Sequence, residues 1–128
     1  MITEVTNGIK VSVETAFVPE QSDIENLQYV YAYRITIEND SHHVVQLLRR
    51  HWFITDTDGS HKEVEGEGVI GEKPVIHPGE TYSYSSGCSL IGEIGRMKGT
   101  YLMLRHDNFG KFEVNIPEFI LTPFYKLN

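Results

Sequence analysis

Residues Gly66-Glu67-Gly68-Val69-Ile70-Gly71 fit the pattern G-x-G-x-x-G. In a dinucleotide-binding fold such glycines lie between a strand and a helix, and the helix N-terminus holds a pyrophosphate. Here Glu72-Lys73-Pro74-Val75 follows, and Pro74 leaves little room for a helix. Glu67 and Glu72 would also face the anion. No Gly-Lys-Ser/Thr pattern occurs in the chain. The segment therefore reads as an ordered loop whose glycines allow positive φ or close backbone approach. Its functional alternative is a surface for a partner or an anion. Val69 and Ile70 sharpen that alternative, because two adjacent β-branched aliphatics either plug the core or meet a partner. Successive residues of an extended loop point opposite ways, so at least one of the pair is expected to be exposed.

Arg49-Arg50-His51-Trp52 is the second candidate, a basic and aromatic patch able to hold phosphate or stack on a base. Trp52 and Phe53 could equally divide between core and surface along a strand. The six histidines invite a metal reading, but His42 and His43 are adjacent and point to opposite faces of a strand. His51, His61 and His106 lack the cysteine pairs or H-E-x-x-H spacing of a zinc site. Asp56-x-Asp58-Gly59 lacks the rest of a calcium loop. Ser85-Ser86-Gly87-Cys88 offers hydroxyls and a thiol without a nucleophile elbow, and Cys88 reads as a small buried hydrophobe. No metal, cofactor or catalytic set is expected.

Strands must position these residues. Ile9, Val11, Val13 and Phe17 alternate with polar residues over 9–17, and Tyr29, Tyr31, Tyr33, Ile35 and Ile37 do so over 29–37. The second run has mixed character on both faces, as in a mid-sheet strand. A third runs from Val44 to Asp56 and is long enough to bend near Arg49-Arg50. Asp58-Gly59 then signals a hairpin with a type I′ turn into Ser60–Val64. Residues 65–80 read as an extended loop ending in the turn His77-Pro78-Gly79-Glu80. Thr81–Ser86 and Thr100–Arg105 read as strands, with 87–98 as a connection. Lys111–Ile116 follows a turn at 107–110, and Pro117 interrupts it before pairing resumes at an edge over 119–121. Residues 22–27 offer one helical turn, with Ser22 as N-cap and Glu25 at N3. About seven short strands point to a two-sheet sandwich or a barrel.

The chain has 128 residues, net charge −7, 18 acids against 11 bases and one cysteine. It reads as one domain over 1–128, with no secretory leader and no span of about 18 apolar residues. The lone cysteine fits a reducing cytoplasm. The acidic balance argues against nucleic acid and anionic lipid as partners.

Several segments in combination resemble the bacterial ApaG family. They are Leu47–Asp56, Val64–Pro74, His77-Pro78-Gly79-Glu80, Tyr84-Ser85-Ser86-Gly87, Gly95–Tyr101 with its G-x-M-x-G-x-Y spacing, and Ile116-Pro117-Glu118-Phe119. Ile70 and Lys73 stand where valine and glutamine are frequent in that family. The resemblance implies an immunoglobulin/fibronectin-type-III-like antiparallel β-sandwich. It also implies a physiological association with cobalt and magnesium efflux, and a domain that in eukaryotic F-box adaptors and a DNA-polymerase-δ-interacting protein looks like an interaction module. It carries over no catalytic residues. The expected function is a non-enzymatic binding or regulatory module acting through a protein partner, without direct membrane insertion and with room for a weak homodimer. The alternative is a sensor or enzyme of phosphate compounds or nucleotides, using the 66–71 loop and Arg49 or Arg50. The candidate ligand- or partner-binding residues are Gly66, Gly68, Val69, Ile70, Gly71, Arg49, Arg50 and Trp52.

Overall fold

Ile9, Val11 and Val13 all turn the same way along a strand over Ile9–Phe17, and all three are buried. The same holds for Tyr29, Tyr31, Tyr33, Ile35 and Ile37 along Tyr29–Asn39. Alternation at period two thus defines the core face of each strand. The computed structural model describes residues 1–123. Its strands are β1 (Ile2–Thr6), β2 (Ile9–Phe17), β3 (Tyr29–Asn39), β4 (Val45–Thr55), β5 (His61–Glu67), β6 (Val75–Ile76), β7 (Thr81–Leu90), β8 (Gly95–Arg105) and β9 (Lys111–Leu121).

All pairing is antiparallel. One sheet has the order β1-β2-β3-β7, so β3 is a central strand as its two-faced composition suggests. The other has the order β5-β4-β8-β9, with β6 pairing the start of β4. The two sheets stack as a sandwich around Tyr33, Trp52, Tyr101, Met97 and Phe119, among others. β1 and β2 pack against β9 and close one side of the sandwich. On the other side β5 and β7 each end a sheet, with nothing paired beyond them among the described residues.

Several sequence expectations need correction. β1 is a strand that its short, mixed sequence did not announce. Residues 65–67 belong to β5, and 75–76 form β6. The supposed connection at 87–98 is mostly strand, with the turn confined to residues 91–94. Its glycines disguised it, because Gly95 and Gly99 face the core and make room there rather than breaking the strand. β9 runs unbroken through Pro117. Its register against β8 shifts between Met97 and Gly99, leaving Pro117 and Glu118 opposite Lys98. Such a bulge on an edge strand tolerates the missing N–H. Residues 19–26 hold two short 3₁₀ turns, Pro19–Gln21 and Ile24–Asn26. Ser22 closes the first of them, and its hydroxyl donates to Val18 O and accepts from Val30 N. At 56–60 the hairpin exists, but Gly59 alone takes positive φ while its N–H bonds Asp56 O. That is a type I turn with a glycine bulge rather than type I′.

Candidate functional site

The G-x-G-x-x-G segment folds as a small hairpin. Val69 N–H donates to Glu72 O and Glu72 N–H to Val69 O, both at 2.8 Å. Ile70 (φ +43°) and Gly71 (φ +78°) form the two-residue tip, and positive φ at both is the mark of a type I′ turn. Gly68 N–H is spent on Leu48 O. A Cβ on Gly68 would lie 2.1 Å from Glu72 O, so glycine is needed for the hairpin to close. No helix follows to present amides to a phosphate, and the Gly68, Val69 and Glu72 amides are bonded within the protein. The pair of aliphatics splits: Val69 is 1% exposed and packs in the core, whereas Ile70 is 57% exposed. Val69 is thus a plug and not a contact residue.

The hairpin is held at its base. Glu67 accepts from Arg49 Nη1 at 2.7 Å and lies 3.2 Å from Lys73 Nζ. These cations, Lys73 foremost, hold its carboxyl below the usual glutamate range. Gln46 donates to Lys73 O, Leu47 N–H to Pro74 O, and the Tyr82 hydroxyl to Glu72 Oε2. Ile70 therefore sits on a fixed platform.

Arg49, Arg50, His51 and Trp52 do not form one patch. In β4 the register shifts between Leu47 and Arg49, so Leu48 is an extra residue. Beyond the bulge Arg50 and Trp52 turn toward the other sheet, while Arg49 and His51 lie on the outer face. His51 stacks on Phe53 at 4.3 Å, its ring nitrogens 3.1 and 3.2 Å from Glu63 and Glu65. Trp52 is 3% exposed and edge-on to Phe119 and Tyr33, so its face is not a stacking platform for a base. Arg50 Nη1 donates to Glu67 O at 3.0 Å and Gly68 O at 2.9 Å. Its guanidinium lies across Gly66, where a Cβ would come within 2.8 Å of it. The three glycines of the motif thus serve Arg50, the hairpin closure and the turn.

Arg50 also reaches a cleft of about 350 Å³ between the unpaired edges of β5 and β7. Tyr33, Trp52, Lys62, Ser86 and Cys88 line it as well. Burial raises the Tyr33 hydroxyl above the ordinary tyrosine value, opposed by the neighbouring Ser86 hydroxyl and the Arg50 charge. Burial likewise pushes the Cys88 thiol up, and Lys62 facing it from β5 offsets only part of this. A thiol held protonated is a poor nucleophile. Cys88 in the native protein is expected to label with a disulfide reagent at least roughly tenfold more slowly than in urea. Equal rates would make it an accessible thiolate. Among the described residues no group of three or more His, Cys, Asp or Glu is arranged to hold a metal ion.

The ApaG domain family matches residues 19–105. The chain is 50% identical over 115 residues to protein ApaG of Nitrosomonas europaea, covering 90% of each. It is 48% identical over 121 residues to protein ApaG of Brucella canis, covering 94% of this chain and 92% of that one. This chain belongs to the ApaG domain family. Its backbone agrees with that of the crystal structure of the ApaA protein from Bordetella pertussis, at 46% identity and TM-score 0.88, covering 91% and 94% of the two chains. The C-terminal domain of wzt is similar in fold alone, at 9% identity and TM-score 0.56, covering 95% of this chain and 77% of that domain.

Within this ApaG domain the G-x-M-x-G-x-Y spacing is a packing device. Gly95, Met97, Gly99 and Tyr101 alternate along β8 and all face the core. The Tyr101 hydroxyl meets that of Tyr84, 2.5 Å away, in the interior. Burial raises both well above the ordinary tyrosine value, so the pair stays protonated. Asn39 is another group that sequence reading passed over. It is fully buried, and it joins the β3–β4 turn to β6 through its side chain. At the end of a strand it resembled an ordinary turn residue, and no local pattern marks a polar side chain that serves distant backbone.

Proposed function

We propose that the chain is a non-enzymatic binding or regulatory module that acts through a protein partner in the cytoplasm. Its link to cobalt and magnesium homeostasis would run through that partner. The observation that supports this most is Ile70. A β-branched residue in the left-handed region stores backbone strain, and strain of this kind concentrates at functional contacts. Ile70 carries it on an exposed tip, anchored by Arg49, Lys73 and Tyr82. The phosphate-compound reading has less support, since the Gly68, Val69 and Glu72 amides are already bonded.

Two substitutions separate a contact from a structural role. Val69→Ala is expected to cost about 2 kcal/mol, as buried aliphatic atoms are lost. Ile70→Asn is expected to raise stability by about 1 kcal/mol, because asparagine accepts left-handed φ at the first position of a type I′ turn. It should nonetheless abolish partner capture. A photo-crosslinking side chain at position 70, used in cells with and without added magnesium or cobalt, should trap one discrete protein. The same group at Glu14 on β2 should not. No capture at 70, a low-micromolar affinity for ATP or a nicotinamide dinucleotide, or turnover of diadenosine tetraphosphate by the purified chain would overturn the reading. Capture indifferent to both metals would remove the homeostasis link.

A further inference from the structure

The four sheet-terminal strands are not protected alike. An unpaired edge offers its free N–H and C=O groups to any extended chain, and folded proteins blunt it with charge, proline, bulges or shortness. β1 is five residues long, carries Glu4 and packs beside β9. β9 has Lys111, Glu113, Pro117 and Glu118 and a register break. β5 carries Lys62, Glu63, Glu65 and Glu67. β7 has none of these devices. Its ten residues, Thr81–Leu90, contain no charge and no proline, and it pairs with β3 from Tyr29↔Leu90 to Glu38↔Thr81 without a shift in register. Residues 85–89, Ser-Ser-Gly-Cys-Ser, are small enough to let another backbone approach along that edge.

The cleft beside that edge has a definite polarity. A strand added to β7 would lie about 4.8 Å beyond it, toward β5. Every second side chain of the added strand would then hang over Tyr33 and Trp52 and face Arg50 and Lys62. Among the described residues the Arg50 side chain hydrogen-bonds through Nη1, which leaves Nη2 and Nε for an incoming acceptor. Lys62 has no ion-pair partner among them. The acid that shares the cleft, Asp56, is already engaged by the N–H groups of Ile91 and Gly92. Two cations are therefore open in a chain of net charge −7.

We propose that β7 takes up an extended, acidic segment of a protein partner as an additional antiparallel or parallel strand, with a carboxylate side chain seated on the Arg50 guanidinium. Main-chain hydrogen bonds to the β7 edge hold the segment, and the carboxylate selects it. This rests on the reading of the protein as a partner-binding module, but it uses a different surface from the Ile70 hairpin, so either can fail alone.

Because strand addition tolerates sequence, a generic peptide is a fair probe. The ¹⁵N-labelled protein is titrated with the capped heptapeptide Thr-Val-Glu-Val-Asp-Val-Thr and with its Gln/Asn counterpart. The acidic peptide should bind at least tenfold more tightly, shift amide resonances of residues 83–89, and slow their hydrogen exchange. Lys62→Glu should weaken it tenfold or more, while Lys111→Glu, an equal charge change on β9, should leave it unchanged. The proposal is overturned by absent binding, by equal affinity for the two peptides, or by shifts confined to other strands. It is also overturned if inorganic phosphate alone gives the same shifts with equal affinity, which would mean a small-anion site. Protection of β7 that grows with protein concentration before any peptide is added would assign the edge to a second copy of the chain instead. If these outcomes fail the edge while the position-70 crosslink succeeds, the binding module stands without this surface.

Discussion

Asn39→Ala is expected to lower stability by about 3 kcal/mol, and with it the melting temperature by roughly 10 °C for a domain of this size. The side chain is fully buried and uses both ends. Its Nδ2 donates to His43 O at 2.8 Å and Ile76 O at 2.9 Å. Its Oδ1 accepts from the Ser41 N–H and hydroxyl. Alanine would remove all four bonds at once. The Ser41 N–H would then lose its acceptor and the Ile76 carbonyl would keep only its ladder partner Val45, and a polar group left unmade away from water costs more than the bond itself contributed. Asn39→Asp tests the cause. It keeps an acceptor for Ser41 but points a carboxylate at two carbonyls. The folded state would therefore favour the protonated acid and bind a proton that the unfolded chain has released. Stability of that variant should rise as pH falls toward 5, opposite to the usual behaviour of a paired carboxylate. Thermal melts across pH 5–8 read both effects. A loss below about 1 kcal/mol for alanine would mean that water replaces the network.

Strands with unbroken alternation were legible in the sequence. β2 and β3 follow their apolar periodicity closely, and the central place of β3 follows from its two-faced composition. Elements whose pattern is interrupted for packing reasons were not. In β8 the core side includes two glycines, so hydrophobic alternation vanishes where the strand is most tightly packed. In β4 the extra residue Leu48 changes which side chains turn inward. Arg49 to Trp52 are consecutive in sequence, but strand alternation places two on each side of the sheet, and the bulge decides which two turn inward. The 66–71 motif shows the limit of pattern matching, since its glycine spacing has three local causes here, none of which is a pyrophosphate. The β5/β7 cleft lay beyond sequence reading altogether, because it depends on which strands end the sheets.

The family motifs hold some parts of the molecule together and leave others open. His77-Pro78-Gly79-Glu80 packs against Asn39, with Gly79 N–H on Asn39 O and Asn39 N–H on Glu80 O. Gly95, Met97, Gly99 and Tyr101 fill the core. These segments serve the framework. The Ile70 tip, the Arg50 guanidinium and the plain edge of β7 are different in kind: none is required to complete the sandwich, and each presents an unfinished interaction. That set is what the proposal of a partner-binding module rests on.

Gly99→Ala is expected to cost about 3 kcal/mol, the upper part of the range for overpacking a close-packed interior. Gly99 pairs with Trp52 across β4 and β8, and a Cβ there would lie 2.3 Å from His51 O and 3.2 Å from Trp52 Cε3. The nearer atom is backbone in a central strand, so it cannot swing aside as a side-chain tip would. Relief requires β8 to move away from β4, which weakens their hydrogen bonds, or Trp52 to tilt out of its edge-on contacts with Tyr33 and Phe119. Gly59→Ala gives the contrast. Gly59 has φ +83° and no atom within 4 Å of a Cβ, so only backbone strain opposes the change, and about 1 kcal/mol is expected. The two substitutions add the same methyl group, and the difference between them isolates the contact. The chain's single tryptophan reports on it directly. Gly99→Ala should lower the denaturant midpoint, shift Trp52 emission to the red and weaken near-ultraviolet dichroism, while Gly59→Ala leaves both spectra unchanged. Equal losses for the two variants would show that β8 has slack beside Trp52 and that the glycine at 99 is not there to admit the indole.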